Sequence, residues 1–279
     1  MLLIIEALLL ISVVLQDNRH AAEGQIYPLD MAENSVDDQF NRCTDKMELR
    51  VQTEFLKKEM SSNPEFARVW KDAEKNHKPG DNLSINHSVA IYVYTNSAFK
   101  LFEKFNKAVR TDKQKYKDGK YSWYSLHFWL KKAIQILKKT QTKCYNTYRG
   151  TGVQFDKKVK GKDVRFGQFA SSSLDRKVAK GFEKKSCFEI YTCSGADVTK
   201  YSKFPYEKEV LIPPYETFKV SEVKQRAKQK DLWCDTVFIL KSYKTRSFLN
   251  IGVRSELNCD ITIRSRFRKY RFGRRLGRK

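Results

Sequence analysis

Apolar positions fall into two patterns along the chain, and the change comes near residue 143. From 37 to about 80, Phe55, Met60, Phe66, Val69 and Trp70 recur at helix-like spacing, with Asp37-Asp38 as a candidate cap. Pro79-Gly80-Asp81-Asn82 then reads as a turn. Ser88 to Thr95 is a short run of β-branched and aromatic residues, which fits a buried strand or a buried helix turn equally. Phe99 to Arg110 and Trp123 to Lys138 read as amphipathic helices. Beyond Lys143 the pattern becomes short strand-like runs: Cys144–Arg149, Val164–Phe169, Phe188–Cys193, Glu209–Ile212, Thr217–Val220, Thr236–Leu240 and Asp260–Ile263. Helices first and strands second predict an α+β domain, not an alternating βαβ fold.

The two ends differ from this body. Leu2 to Leu15 is apolar apart from Glu6, too short for a membrane span and suited to a signal-peptide core. A signal over 1–22 is expected, with cleavage near Ala22–Gly24; a buried N-terminal helix is the competing reading. No other stretch is apolar enough for a transmembrane segment. The C-terminus is cationic, so no GPI-anchor signal is read there. Boundaries follow at 23–263 for the folded domain and 264–279 for a basic tail.

Composition narrows the class. Of 279 residues, 41% are hydrophobic and 13% aromatic, enough to bury a core and to exclude a disordered chain. The 55 Lys and Arg exceed the 32 Asp and Glu, giving a net charge of +23. Nine of the cations lie in Ile261–Lys279, where there is no acid. Such a chain suits an acidic partner: nucleic acid, glycosaminoglycan, anionic membrane or a phosphate-bearing ligand. Charge does not choose among them. The 6 cysteines, Cys43, Cys144, Cys187, Cys193, Cys234 and Cys259, show no CxxC spacing and suggest disulfides in a secreted protein. Two sequons, Asn82-Leu-Ser84 and Asn86-His-Ser88, fit the same compartment and a glycoprotein.

Three clusters in the strand-rich half carry candidate chemistry. Tyr148-Arg149-Gly150 sets a guanidinium at a strand end, where its fork suits a phosphate; an ordinary surface arginine is the plain alternative. Ser171-Ser172-Ser173 offers hydroxyls to a polar ligand, or Ser173 caps a helix. No GxSxG elbow surrounds them. Glu207 and Glu209 flank Lys208 at the start of a Val-Leu-Ile run, so on a strand they would share one face. Two close carboxylates split their pKa values and suit chemistry at an anomeric carbon, one stabilising an oxocarbenium-like transition state. A solvated Glu-Lys-Glu edge is the plain alternative. Histidine chemistry looks poor: His77 and His87 fall in a predicted loop, and His127 in an apolar helix. HExxH, GxGxxG and Walker-type loops are absent.

Taken in order, these clusters resemble the Arg–Ser–Glu signature of the vertebrate ecto-mono-ADP-ribosyltransferases. The likeness includes Asp37-Asp-Gln-Phe40 with Cys43, Ile91-Tyr92-Val-Tyr94-Thr95-Asn96, Phe105-Asn106 with Ala108-Val109-Arg110, and Phe166-Gly-Gln168-Phe-Ala-Ser171. It continues through Thr192-Cys193-Ser-Gly195-Ala196 and Glu207-Lys-Glu209-Val-Leu-Ile-Pro-Pro-Tyr-Glu216, covering about 37–260. The resemblance implies an N-terminal helical region packed on two facing β-sheets around an NAD cleft. It implies that Arg149 binds the cofactor, Ser171 orders the site, Glu209 stabilises the oxocarbenium and Glu207 engages an acceptor guanidinium. Tyr94, Gln168 and Ser202 match further NAD contacts. NAD, or NADP, would be consumed as a substrate, without a metal. The implied activity is arginine mono-ADP-ribosylation of proteins or small guanidines. NAD hydrolysis with weak transfer, and a non-catalytic cationic binding protein, are the alternatives. The resemblance also implies Cys144–Cys193 and favours Cys43–Cys259, which leaves Cys187 with Cys234. No specific nucleic-acid partner is read once the charge is split, and the tail is expected to meet anionic glycans.

Overall fold

A computed structural model describes residues 25–40, 43–96 and 100–249. Its helical half begins with α1 (Thr44–Arg50), which runs through a π-helical turn (Val51–Phe55) into α2 (Leu56–Ser62). The Asn63 side chain accepts the Phe66 amide and Pro64 fills the first turn, so α3 (Pro64–Asn76) starts there. Its buried residues Phe66, Val69, Trp70 and Ala73 form one stripe at helical spacing. The ambiguous apolar run is the helix α4 (Ile85–Thr95), started by a capping box between Ser84 and His87. His87 is therefore a helix-capping residue, not the loop residue expected. α4 is buried on nearly every side, with Val89, Ala90, Ile91 and Val93 fully covered. That erases the periodicity that distinguishes a helix from a strand. α5 (Leu101–Thr111), α6 (Lys113–Lys117) and α7 (Tyr124–Thr140) complete the layer, which closes over Trp70, Phe105, Phe128 and Trp129.

Asp37 and Asp38 do not cap a helix. The first helical turn starts at Thr44, and both acids are buried in the irregular lead-in. Asp37 forms a fully buried ion pair with Arg165 at 2.6 Å. It also accepts the Ser247 hydroxyl and the amides of Phe248 and Leu249. Arg165 donates in addition to the carbonyls of Met31, Ala32 and Arg246. Asp38 accepts from Tyr116 Oη at 2.7 Å, and burial raises its pKa. These acids tie three distant segments together.

The strands are β1 (Ile26–Tyr27), β2 (Tyr145–Thr151), β3 (Gln154–Phe155), β4 (Asp163–Val164), β5 (Ala170–Ser173), β6 (Ser186–Thr192), β7 (Ala196–Asp197), β8 (Glu209–Ile212), β9 (Glu216–Gln225) and β10 (Thr236–Thr245). A short helix, α8 (Arg176–Ala179), follows β5. β1 pairs with β3, and the rest form an eight-stranded mixed sheet in the order β4-β9-β10-β6-β2-β5-β8-β7. Its two halves share one core: Phe188, Ile190, Phe218, Val220, Phe238 and Leu240 meet Ala170 and Ile212. The α+β expectation holds, with the strands enclosing a common interior. Of the expected strand Val164–Phe169 only Val164 is strand, as the second residue of β4, and the next residue, Arg165, turns inward to Asp37.

Two disulfides are formed as expected, Cys144–Cys193 and Cys187–Cys234. Cys43 is also disulfide-bonded, but its expected partner Cys259 lies outside the described residues, as do 1–22, 264–279 and the expected strand Asp260–Ile263. Among the described residues no helix is long and apolar enough to cross a membrane.

Candidate active site

Three neighbouring strands, β2, β5 and β8, assemble the site. On β2, Arg149 points to β5 and donates from Nη1 to the Ser171 carbonyl at 2.6 Å. Gly150 follows because nothing larger fits: a Cβ there would stand 2.5 Å from the Glu183 carbonyl oxygen and 3.0 Å from that of Ala179. The serine triplet divides its labour. Ser172 Oγ donates to the Val210 carbonyl at 3.0 Å and Ser173 Oγ to the Glu207 carbonyl at 2.7 Å, so both fasten β5 to β8 and to the turn before it. Ser171 alone turns its hydroxyl toward the buried acid. The expected helix cap is Asp175, which accepts the Lys177 amide, and not Ser173.

Glu209 opens β8, opposite Ser173, and is only 4% exposed. Burial pushes its carboxyl pKa up to about 7; Ser171 opposes the rise, Glu207 adds to it, and Arg149 opposes it. Arg149 feels the same burial, which lowers its pKa. The two charges influence each other but form no ion pair, and one guanidinium N–H is given to the Ser171 carbonyl. A buried acid and a partly buried cation are thus held side by side without direct contact between their charges.

Glu207 does not lie on the same strand. It ends a 3-10 turn (Pro205–Glu207), and Lys208 follows in the left-handed region at φ 48° and ψ 51°. The expected shared strand face is replaced by a corner that aims the two carboxylates separately. The corner is pinned by the Leu174 amide donating to the Lys208 carbonyl and by a Lys208–Asp175 ion pair of 3.1 Å. Glu207 is half-buried, and that burial raises its pKa. Tyr206 beside it is 68% exposed, which puts this turn at the rim of the site.

α4 and α5 supply the wall. Tyr94 Oη donates to the Phe169 carbonyl at 3.0 Å and accepts from Asn106 Nδ2 at 3.0 Å. Its pKa is pushed up to about 12, by burial first and by the Glu209 charge as a smaller contribution. Asn106 Oδ1 and Gln168 Oε1 are buried without a hydrogen-bond partner. Gln168 follows Gly167, whose φ of 65° and close approach to Ala32 exclude a side chain. Ser202 is buried and its Oγ accepts the Phe204 amide, holding the segment that leads to Glu207. No hydrogen bond joins Gln168 or Ser202 to Arg149 or Glu209; Gln168 precedes β5 with Ser171, and Ser202 precedes the turn that leads to Glu207 and Glu209.

Sequence reasoning placed Arg110 only within a motif. In the structure it ends α5 one helical turn beyond Asn106. Its side chain is exposed, but partial desolvation against the protein lowers its pKa, and the Arg149 charge lowers it further. Neither guanidinium has a carboxylate in an ion pair among the described residues. Two converging cations in that state suit an anion with two charges. Their spacing in the chain, 39 residues apart by number, hid the relation. His127 and His87, held near pKa 3 and 4 by burial, lie in the helical core and take no part.

Comparison with known proteins settles the lineage. Residues 29–242 match the family model of the NAD:arginine ADP-ribosyltransferases. The chain belongs to this family. NAD(P)(+)--arginine ADP-ribosyltransferase 1 of Gallus gallus is 37% identical over 202 residues, covering 69% of this chain and 64% of that protein. Ecto-ADP-ribosyltransferase 5 of Homo sapiens is 36% identical over 228 residues, covering 75% and 77%. The match spans just under two thirds of the chicken relative's length. The crystal structure of the mono-ADP-ribosyltransferase ART2.2 superposes with a TM-score of 0.66 at 31% identity, over 79% of this chain and 96% of that one. An ART2.2 variant in complex with NAD gives 0.65 at 30% identity.

Proposed function

We propose that this family member transfers ADP-ribose from NAD to arginine side chains and releases nicotinamide. The observation that carries the reading is the buried Glu209, poised near neutral pKa beside Ser171 and Arg149, with Glu207 on a separate turn at the rim. Arg149 and Arg110 bracket the dinucleotide's two phosphate charges. Tyr94, Gln168 and Ser202 line the remainder of the dinucleotide cleft, where the unpartnered Gln168 Oε1 offers an acceptor. Ionised Glu209 faces the anomeric carbon as the nicotinamide bond breaks and stabilises the cationic sugar. The acceptor guanidinium is protonated at any ordinary pH. The Glu207 carboxylate meets that charge, aims the nitrogen at the opened centre and takes the N–H proton released as the new C–N bond forms and nicotinamide departs. No metal enters this chemistry, and NADP fits the same roles.

The surroundings agree. Two disulfides and ecto-enzyme relatives support an extracellular protein, made with a signal over 1–22, a catalytic domain over 23–263 and a basic tail over 264–279 that meets anionic glycans. Of the two sequon asparagines Asn82 is exposed, whereas Asn86 is partly buried in the first turn of α4. Incubation of the secreted protein with labelled NAD and agmatine tests the activity. Labelled agmatine supports transfer. Free ADP-ribose alone replaces the reading with NAD hydrolysis, and no turnover replaces it with a binding protein.

A further inference from the structure

The outer face of strands β9, β10 and β6 is covered at one end and bare at the other. At the covered end Cys187, Trp233, Cys234 and Val237 pack with Ala179. Toward the bare end the ladder sets Lys219 opposite Lys241, and Lys241 opposite Tyr191 on the next strand. A bulge between Ser242 and Lys244 turns Tyr243 outward, where it is 58% exposed. Lys244 Nζ stands 4.6 Å and Lys219 Nζ 5.4 Å from the centre of the Tyr243 ring. Three amines and two phenol rings thus share one exposed face.

Holding those amines together works against the fold. Directly opposed residues have Cβ atoms about 5 Å apart, and like charges there repel. One carboxylate, Asp163, serves two of them, at 2.8 Å from Lys219 and 3.7 Å from Lys244. Lys241 has no ion pair among the described residues. Glu222 and Glu189 flank Ile239 in the adjacent row. Glu222 pairs with Lys224 and Glu189 accepts the Trp233 indole N–H, and neither forms an ion pair with Lys219, Lys241 or Lys244.

We propose that this face binds a linear sulfated polysaccharide, with Lys219, Lys241 and Lys244 meeting successive sulfates. The proposal stands apart from the transferase reading, since none of the three belongs to the Arg149, Ser171, Glu207 and Glu209 set. Strand spacing and rise put the amines roughly 5–10 Å apart along a flat surface, which suits an extended polyanion better than a compact one. Base stacking needs a free aromatic face, whereas Tyr243 already holds two lysine amines against its ring. The disulfides place the protein where sulfated polysaccharides occur. The chain's own basic tail carries the wrong sign to cover this surface.

The test compares the full chain with a Lys219→Gln/Lys241→Gln/Lys244→Gln variant on immobilised heparin in a salt gradient. A control removes equal charge from α2 and α3 (Lys57→Gln/Lys71→Gln/Lys75→Gln). The sheet variant is expected to elute at lower salt, with its log–log salt slope reduced by about two to three. Agmatine labelling should stay unchanged, the melting temperature should hold or rise as the lysine repulsion is relieved, and the control should elute like the parent. Unchanged elution of the sheet variant would overturn the proposal and assign heparin binding to the tail. Equal loss in both variants would overturn it as bulk charge. A larger loss for single-stranded oligothymidine than for heparin would overturn it in favour of nucleic acid.

Discussion

The molecule buries two acid–arginine pairs, and it treats them in opposite ways. Asp37 and Arg165 touch at 2.6 Å, and backbone amides, carbonyls and a hydroxyl from the segments 31–32 and 246–249 meet them further. Glu209 is also buried and Arg149 partly so, yet Arg149 is given to the Ser171 carbonyl and Glu209 is left with a pKa of about 7. The first pair is complete and holds the fold; the second is incomplete and, on the proposed reading, is completed by substrate charge. Burial alone therefore does not mark a catalytic acid. The mark is a buried charge that its neighbours leave short of partners.

The comparison can be broken most severely at the complete pair. Arg165→Leu strands the Asp37 charge and should cost about 3–5 kcal/mol of stability by chemical denaturation. Adding Asp37→Leu should return much of that loss; no recovery in the double variant would show that Arg165 matters through packing alone. Glu209→Gln should do the reverse. Transfer and NAD hydrolysis should both fall by about 10²–10³-fold, while the fold survives. Near-normal turnover would refute the assignment.

The same variant carries a stability prediction whose sign distinguishes the two pairs. Glu209 has a raised folded pKa, so the folded state binds a proton more tightly than the unfolded chain between its ordinary 4.5 and about 7. Parent stability from this group is then full below pH 4.5 and declines as pH rises through 7. Glu209→Gln should match the parent at pH 4 and exceed it at pH 8 by up to ~3 kcal/mol. Melting curves at both pH values read this directly. In activity, kcat/KM of the parent should rise with pH through about 7, as Glu209 ionises. A profile flat from pH 5 to 8 would separate catalysis from this carboxyl. The smallest effect belongs to the rim: Glu207→Gln should lower agmatine transfer about tenfold and NAD hydrolysis less. Equal loss of both would remove its acceptor role.

Much of this was legible in the sequence, and the misses share a cause. Amphipathic helices such as α3 and α5 showed themselves because one face meets water. α4 did not, because burial on all sides removes the pattern. The Arg149–Ser171–Glu209 set was readable from local clusters; Arg149 and Glu209 are delivered by the strands expected there, whereas Ser171 lies on β5, just beyond the expected strand Val164–Phe169. Long-range partners were not: the Asp37–Arg165 pair, the approach of Arg110 to Arg149 and the diversion of Ser172 and Ser173 to backbone carbonyls depend on contacts that no local spacing encodes. The shared strand face of Glu207 and Glu209 failed for one local reason. Nothing in Glu-Lys-Glu announces that Lys208 takes a left-handed conformation.

That single residue has a consequence for how such enzymes diversify. Had both acids stood on β8, any exchange at the first would have disturbed the register that fixes the second. With a corner between them, the side chain at 207 can be altered while the strand holding 209 keeps its alignment. On the proposed roles, the choice of acceptor and the breaking of the nicotinamide bond become separately heritable traits, divided by one backbone torsion.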